Sequence, residues 1–248
     1  MLHGFTNTSA TWGDFLTLVS QAYGVRTLDL PGHGTSSAVR ADLVTSGSLV
    51  AKHLCDPSIL LGYSLGGRVA LHCALEQPTA LRGLILIGST PGIRDDGERA
   101  LRRSRDETLA AELRQRADLK GFLEQWLSGP LFTHLTSEQQ HLEGRLENTV
   151  EGLASSLELA GLGTQEPLWG RLGDITVPTL VLAGSEDEKF TNLGKAMAVA
   201  LPYGRFAAVS GAGHAVHLER PREVAELVLD FIARVSPQAV SGPDEETS

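Results

Sequence analysis

Short runs that are apolar on nearly every position recur along the chain, separated by stretches patterned for helices. The runs are Ser58 to Tyr63, Leu84 to Gly88, Thr179 to Gly184, and Arg205 to Val209, and the more polar Val25-Arg26-Thr27-Leu28-Asp29-Leu30 also reads as a strand, ended by Pro31-Gly32-His33-Gly34. Most show no alternation of apolar and polar residues, the pattern of strands buried on both faces of a parallel sheet. Between them, Trp12 to Ala22 places Trp12, Phe15, Leu16 and Val19 on one helical face. Arg40 to Leu54 does the same with Leu43, Leu49, Val50 and Leu54. Further helices are expected from the Gly62–Gly66 turn to about Gln77, over Leu193–Leu201, and over Glu219–Val235, where Pro221 is tolerated in the first turn. Strand and helix alternate, so the class is α/β, with a mostly parallel sheet and helices on both faces.

From about Pro91 to Leu172 the rhythm changes. Leucines and aromatics fall at helical spacing (Leu109, Leu113, Leu119, Phe122, Leu123, Trp126), Pro130 interrupts, and a further helix is expected over Ser137–Leu159. A segment this long without strands is expected to form a helical cap on a core made of 1–90 and 173–235. The tail, 236–248, is polar and acidic with Pro and Gly, and is expected to be disordered.

Composition changes this picture little. The chain has 248 residues, 42% hydrophobic and 21% charged, which suits one sizeable soluble domain. Its net charge of −9 argues against nucleic acid and anionic membranes as partners. Cys55 and Cys73 give neither a disulfide framework nor a metal-ligand spacing, and both read as small buried apolar residues. Without a signal peptide or a long apolar run, a cytoplasmic location is expected.

Chemistry enters at Gly62-x-Ser64-x-Gly66, the sequence form of a strand–turn–helix elbow that presents a serine. The pattern alone is weak, and its position between an apolar strand and a helix strengthens it. A serine hydroxyl needs a base to take its proton and an acid to orient that base. Asp187, in the turn after the Thr179–Gly184 run, and His214, after the next run, follow in the required order. Asp187 is preferred to Glu186 and Glu188, which flank it in the turn. His217 competes with His214 but leads into the closing helix. Two N–H groups should face developing negative charge, one from Leu65 and one from Phe5 in the His3-Gly4-Phe5 turn. His3 and His33 read as structural hydrogen-bonders beside glycine turns.

These residues together resemble the α/β-hydrolase superfamily over essentially the whole chain to about Val235. Within it the chain is most similar to the 2-succinyl-6-hydroxy-2,4-cyclohexadiene-1-carboxylate synthases of menaquinone biosynthesis. The resemblance rests on Leu2-His3-Gly4-Phe5, Asp29-Leu30-Pro31-Gly32-His33-Gly34, Gly62 to Ala70 with Arg68, Gly184-x-x-Asp187-x-Lys189-Phe190, and Ala212-Gly213-His214-x-x-His217. Arg68 and the Lys189-Phe190 pair are the discriminating features. The resemblance implies a lyase that eliminates pyruvate from a multiply carboxylated cyclohexene, with Ser64 as base rather than nucleophile. It implies Tyr63, Arg68, Arg102, Trp126 and Arg145 as substrate-binding residues, and no metal or organic cofactor. A small anionic substrate agrees with the seven arginines between Arg94 and Arg116, although six interleaved acids also fit a solvated helix. The pattern departs from the resemblance at its start. Only Met1 and Leu2 stand where a strand in the middle of the sheet is expected, which leads us to expect residues upstream of Met1.

Two other readings compete. A carboxylesterase or carbon–carbon hydrolase would use Ser64 through an acyl-enzyme. A ligand receptor on the same fold would leave the triad idle.

Overall fold

A computed structural model gives the structure of the protein, which describes residues 1–55 and 57–235. The expected tail, 236–248, lies outside the described residues. In chain order the elements are α1 (Gly13–Ser20), α2 (Leu43–Ala51), β1 (Ser58–Tyr63), α3 (Leu65–Leu75) and β2 (Leu81–Ile87). Helices α4 (Asp96–Arg116), α5 (Leu119–Leu127), α6 (Leu142–Arg145) and α7 (Val150–Ala160) follow. The chain then returns through β3 (Thr179–Gly184), α8 (Glu188–Ala200), β4 (Gly204–Val209), α9 (Val216–Glu219) and α10 (Pro221–Val235).

The four strands lie in the order β1-β2-β3-β4, all parallel. Strand period then explains the two cores. Leu61, Tyr63, Ile85, Ile87, Leu180 and Leu182 point to one face, where they pack with Trp12, Phe15 and Val19 of the α1 region and Val228, Phe231 and Ile232 of α10. Leu60, Leu84, Leu86 and Val181 point to the other, against Val50 of α2, Val69 and Cys73 of α3, and Met197 of α8. Because both faces are covered, the strands need to be apolar throughout, which is the pattern the sequence displays. The α/β-hydrolase architecture expected from the sequence is the one observed. Helices α4 to α7 carry a cluster of their own built on Ala110, Leu113, Leu123, Leu153 and Leu157, and they stand over the carboxyl ends of the strands. No helix among the described residues is long and apolar enough to cross a membrane.

Several elements differ from expectation. The helix expected over Ser137–Leu159 is two, α6 and α7, with Thr149 capping the second by accepting from the Gly152 N–H at 3.0 Å. Cys55 is exposed beyond the end of α2, whereas Cys73 is buried in α3 as expected. The run Val25–Leu30 forms no strand. Only Leu28 makes a bridge, to Leu2, which in turn bridges Gly62 of β1, both in parallel. Strand character needs a partner along its length, and here the row between Leu28 and β1 is filled by Met1 and Leu2 alone.

Beyond Met1 that row continues as a cavity of about 640 Å³, lined by Val19, Val25, Leu28, Val50, Leu60 and Ile85 among others. Leu2 accepts from Tyr63 N–H and donates to Leu61 O, so the odd-numbered residues of β1 face this row. The N–H of Leu61 and both main-chain groups of Ile59 therefore point into the cavity. Joining four apolar β-formers to Met1 would fill the space and pair these groups. Burial of each side chain contributes about 2 kcal/mol against about 1.5 kcal/mol of ordering per residue, leaving a net gain of a few kcal/mol with the hydrogen bonds. A rise in Tm of about 5–10 °C by calorimetry is expected, and none for a Gly/Ser extension of equal length.

Candidate active site

Strand β1 ends at Tyr63 and α3 begins at Leu65, so Ser64 alone makes the turn, at φ 50° and ψ −108°. That backbone is strained for a residue with a Cβ, and the surroundings hold it there. The Ser64 N–H donates to Ile87 O at 2.8 Å, and Ser89 Oγ donates to Ser64 O at 3.2 Å. A Cβ at Gly66 would overlap the Leu2 carbonyl, and one at Gly62 would overlap the Gly66 carbonyl, so the turn closes only with glycine on both sides. The hydroxyl projects at the carboxyl end of the sheet, with the unpaired N–H groups of the α3 terminus beneath it.

His214 and Asp187 arrive there from the ends of β4 and β3. His214 Nδ1 lies 2.9 Å from Asp187 Oδ2, and its Nε2 lies 3.4 Å from Ser64 Oγ. The ring is buried between Phe190 and Tyr63, with centroids at 4.5 and 5.5 Å. Burial alone would raise the Asp187 carboxyl, but the His214 contact and the Phe190 N–H outweigh it and hold it below the ordinary range. Asp187 stays ionised and fixes the tautomer that leaves Nε2 free to accept the serine proton. Glu219 was not singled out by sequence reasoning, yet its carboxylate accepts from Gly213 and Ala215 N–H on either side of His214. No motif marks it; only the fold brings the end of α9 back under the histidine loop.

The Phe5 turn stands opposite. Gly4 O accepts from Asn7 N–H at 3.1 Å and from His3 Nδ1 at 2.8 Å, while His3 Nε2 accepts from Leu30 N–H at 3.0 Å. With the Gly4 carbonyl held on one side of its trans peptide, the Phe5 N–H points to the other. Phe5, Ser64, Leu65 and His214 together border a cavity of about 100 Å³ beneath the cap.

Arg68, Arg102 and Trp126 also line this cavity, with Ser89, Thr90 and Ser156, which sequence reasoning did not pick out. Arg68 is buried and donates from Nη1 to Ala160 O at 2.8 Å. Burial, and then the positive charge of Arg102, lower its guanidinium to about 9. Arg102 is tethered at Nε to Asp106 by 2.9 Å, whereas Arg99 turns outward to Asp96. Arg102 thus has a carboxylate partner and Arg68 only a carbonyl, with the two guanidiniums repelling each other in one cleft, an electrostatic arrangement that an anionic ligand relieves.

Two expected substrate-binding residues are not on the cavity wall. Tyr63 lies beneath the catalytic histidine candidate, its ring under Gly4 and 4.4 Å from His217, because the strand period sends its side chain into the core. Arg145 is 1% exposed and spends its donors on Thr6, Asn7 and Gln140. His217 packs among Trp12, Phe15 and Tyr63, a structural position.

His3, His33 and His217 are buried, and burial lowers them to about 4, 3 and 3 respectively. Each folded value lies below the unfolded value of about 6.5, so the unfolded chain takes up protons first on acidification. The stability they hold is complete above about pH 6.5 and is lost as pH falls towards their folded values. At about 1.4 kcal/mol per histidine per pH unit, Tm should fall by more than about 10 °C between pH 6.5 and 5. A Tm that stays level over that interval would contradict neutral burial of the three rings.

The sequence profile described as the Alpha/beta hydrolase family matches residues 1–227. The chain belongs to this family. It is 32% identical over 239 residues to the 2-succinyl-6-hydroxy-2,4-cyclohexadiene-1-carboxylate synthase of Serratia proteamaculans (strain 568), covering 93% of this chain and 91% of that one. It is 33% identical over 240 residues to the synthase of the same name from Photorhabdus laumondii subsp. laumondii, covering 94% and 84%. The structure of MenH from S. aureus superposes with a TM-score of 0.87 at 34% identity, over 94% of this chain and 92% of that one. Within the alpha/beta hydrolase family, the chain therefore belongs with these synthases. A thermophilic esterase from Thermogutta terrifontis shares the fold, with a TM-score of 0.81 at 23% identity.

Proposed function

We infer that this protein is the lyase of menaquinone biosynthesis that forms 2-succinyl-6-hydroxy-2,4-cyclohexadiene-1-carboxylate by eliminating pyruvate. The observation that carries the inference is the pairing of two arginines, Arg68 and Arg102, with Ser64 and His214 in one cleft, with Asp187 behind the histidine, in a chain similar along its length to synthases of that name.

The product's structure specifies what the site has to do. Succinyl is an acyl group on ring carbon 2, and the ring double bonds lie at 2 and 4. In a 2,5-elimination across a ring double bond between carbons 3 and 4, the proton leaves carbon 2, next to the succinyl ketone, and the carbon–oxygen bond to the enolpyruvyl group breaks at carbon 5. Ser64 Oγ takes the ring proton while passing its own to His214 Nε2, so the charge appears on imidazolium paired with Asp187. The electron pair left at carbon 2 spreads onto the ketone oxygen, where the N–H groups of Phe5 and Leu65 stabilise it. It then forms the 2,3 double bond as the 3,4 double bond moves to 4,5 and enolpyruvate departs with the electrons of its carbon–oxygen bond, and a proton returned from His214 converts the leaving group to pyruvate. No bond to Ser64 is made. Arg68 and Arg102 hold the carboxylates, and Trp126, whose Nε1 is buried without a partner among the described residues, covers the ring.

The experiment is to supply the carboxylated cyclohexene and follow pyruvate and the diene chromophore together, with nitrophenyl esters in parallel. Equimolar pyruvate and diene with only slow ester hydrolysis is expected. Brisk ester hydrolysis with no pyruvate would assign the site to an esterase.

A further inference from the structure

The loop that carries Phe5 contains a residue in an unfavourable conformation. Asn7 N–H closes a turn onto Gly4 O, and Thr6 inside it sits at φ 67°. For a β-branched residue, left-handed backbone costs on the order of 1–3 kcal/mol and persists only where neighbours impose it. The neighbours here come from the cap. Arg145, at the end of α6, donates from Nη1 to Thr6 Oγ1 and, at 3.0 Å, to Asn7 Oδ1. Its Nε is anchored to Gln140 O at 2.7 Å. Asn148 completes the grip, its Nδ2 donating to Thr6 O at 2.8 Å and to Arg145 O at 2.8 Å, while its Oδ1 accepts from Gly34 N–H at 3.0 Å.

Among the described residues Arg145 is the largest charged side chain to be fully buried, and its hydrogen bonds go to neutral oxygens of the turn and of its own loop rather than to a carboxylate. Burying a guanidinium this way is costly, and the hydrogen bonds that offset the cost include the two, to Thr6 and Asn7, that hold the turn. The turn in turn fixes catalytic geometry. Were Thr6 to relax to an ordinary φ, the Asn7 N–H would leave Gly4 O, and the Gly4–Phe5 peptide would lose one of the two donors that orient it.

We propose that Arg145 is a positioning residue which, acting from the cap through Thr6, holds the Phe5 N–H aimed at the site of developing negative charge. The oxyanion donor is then set only when α6 is seated on the core, so cap docking and assembly of the catalytic site are one event. This rests on the proposed role of Phe5 N–H in the elimination.

A mutant cycle with residue 6 tests it. Glycine adopts φ 67° without strain, so in a Thr6→Gly background the turn does not need the clamp. In the chain with Thr6, Arg145→Met is expected to lower kcat for pyruvate release by about 30-fold, part of the 10²–10³ attached to losing an oxyanion donor outright, with KM within about twofold. In the Thr6→Gly background the same substitution is expected to lower kcat by less than about threefold. Equal losses in both backgrounds, or a loss expressed in KM, would overturn the proposal; the latter is what a carboxylate ligand would give. If the Met variant does not fold, Arg145→Lys takes its place, and its loss should likewise shrink when residue 6 is glycine. Failure of the underlying reading registers elsewhere: Ser64→Ala retaining pyruvate release would remove the elimination mechanism whatever the cycle shows. The amide shifts of Phe5 and Asn7 in Arg145→Met would still report the clamp itself.

Discussion

Ser64→Ala is expected to lower kcat for pyruvate release by about 10³ or more while leaving KM within a few-fold. The hydroxyl stands at once beside His214 Nε2, at 3.4 Å, and on the cavity wall, so its loss leaves the ring proton without a base in reach. General base catalysis contributes about 10²–10⁴, and here the base acts at a carbon acid, which gives water little chance to substitute. His214→Asn should cost as much, and the double variant little more, because the two act as one proton-accepting unit. Substrate binding should persist in both, since the arginines are untouched. Retention of more than a tenth of the wild-type rate in Ser64→Ala would remove serine from the mechanism.

Arg68→Met is expected to lower kcat/KM by about 100-fold, mostly through KM, without lowering Tm. Charge-assisted hydrogen bonds to a carboxylate contribute about 1.5–3 kcal/mol in a site of this kind, which corresponds to roughly 10–200-fold. The stability side has a different sign. In the free protein the Arg68 cation is buried, is repelled by Arg102, and makes one hydrogen bond to Ala160 O. Replacing such a group by an apolar one of similar volume is neutral or favourable by up to a few kcal/mol. Lysine should not restore binding, because a single ammonium cannot hold both the Ala160 carbonyl and a bidentate carboxylate. Steady-state kinetics with calorimetry on the same samples checks both halves, and an unchanged KM would contradict a substrate contact.

The core of the molecule was legible from hydrophobic pattern because burial on both faces leaves no choice of residue: Leu84 to Ile87 could hardly be anything but a central strand. The triad was legible for a related reason. A tight elbow demands glycines, and the carboxyl ends of a parallel sheet share one edge, so Ser64, Asp187 and His214 could be paired from the elbow, chain order and position after the strands. The cap was harder. Among its arginines, Arg99, Arg102 and Arg145 have similar sequence surroundings, and what separates them is tertiary: Arg99 turns outward to Asp96, Arg102 reaches the cavity, and Arg145 is drawn into a neutral turn from more than a hundred residues earlier. Tyr63 shows the same limit at shorter range. The resemblance implied Tyr63 as a substrate contact, but alternation along β1 sends its ring beneath His214 and against His217 in the core. The run Val25–Leu30 has strand composition and no strand, because pairing is a property of the neighbour as much as of the segment.

The most direct measurement is a rapid-quench single turnover with enzyme in excess, reading pyruvate and the intact mass of the protein from the same quenched samples. The elimination mechanism predicts one pyruvate per substrate consumed, appearing with the diene, and a protein mass unchanged at every time point. A transient mass increase on Ser64 that accumulates before any pyruvate appears would contradict it.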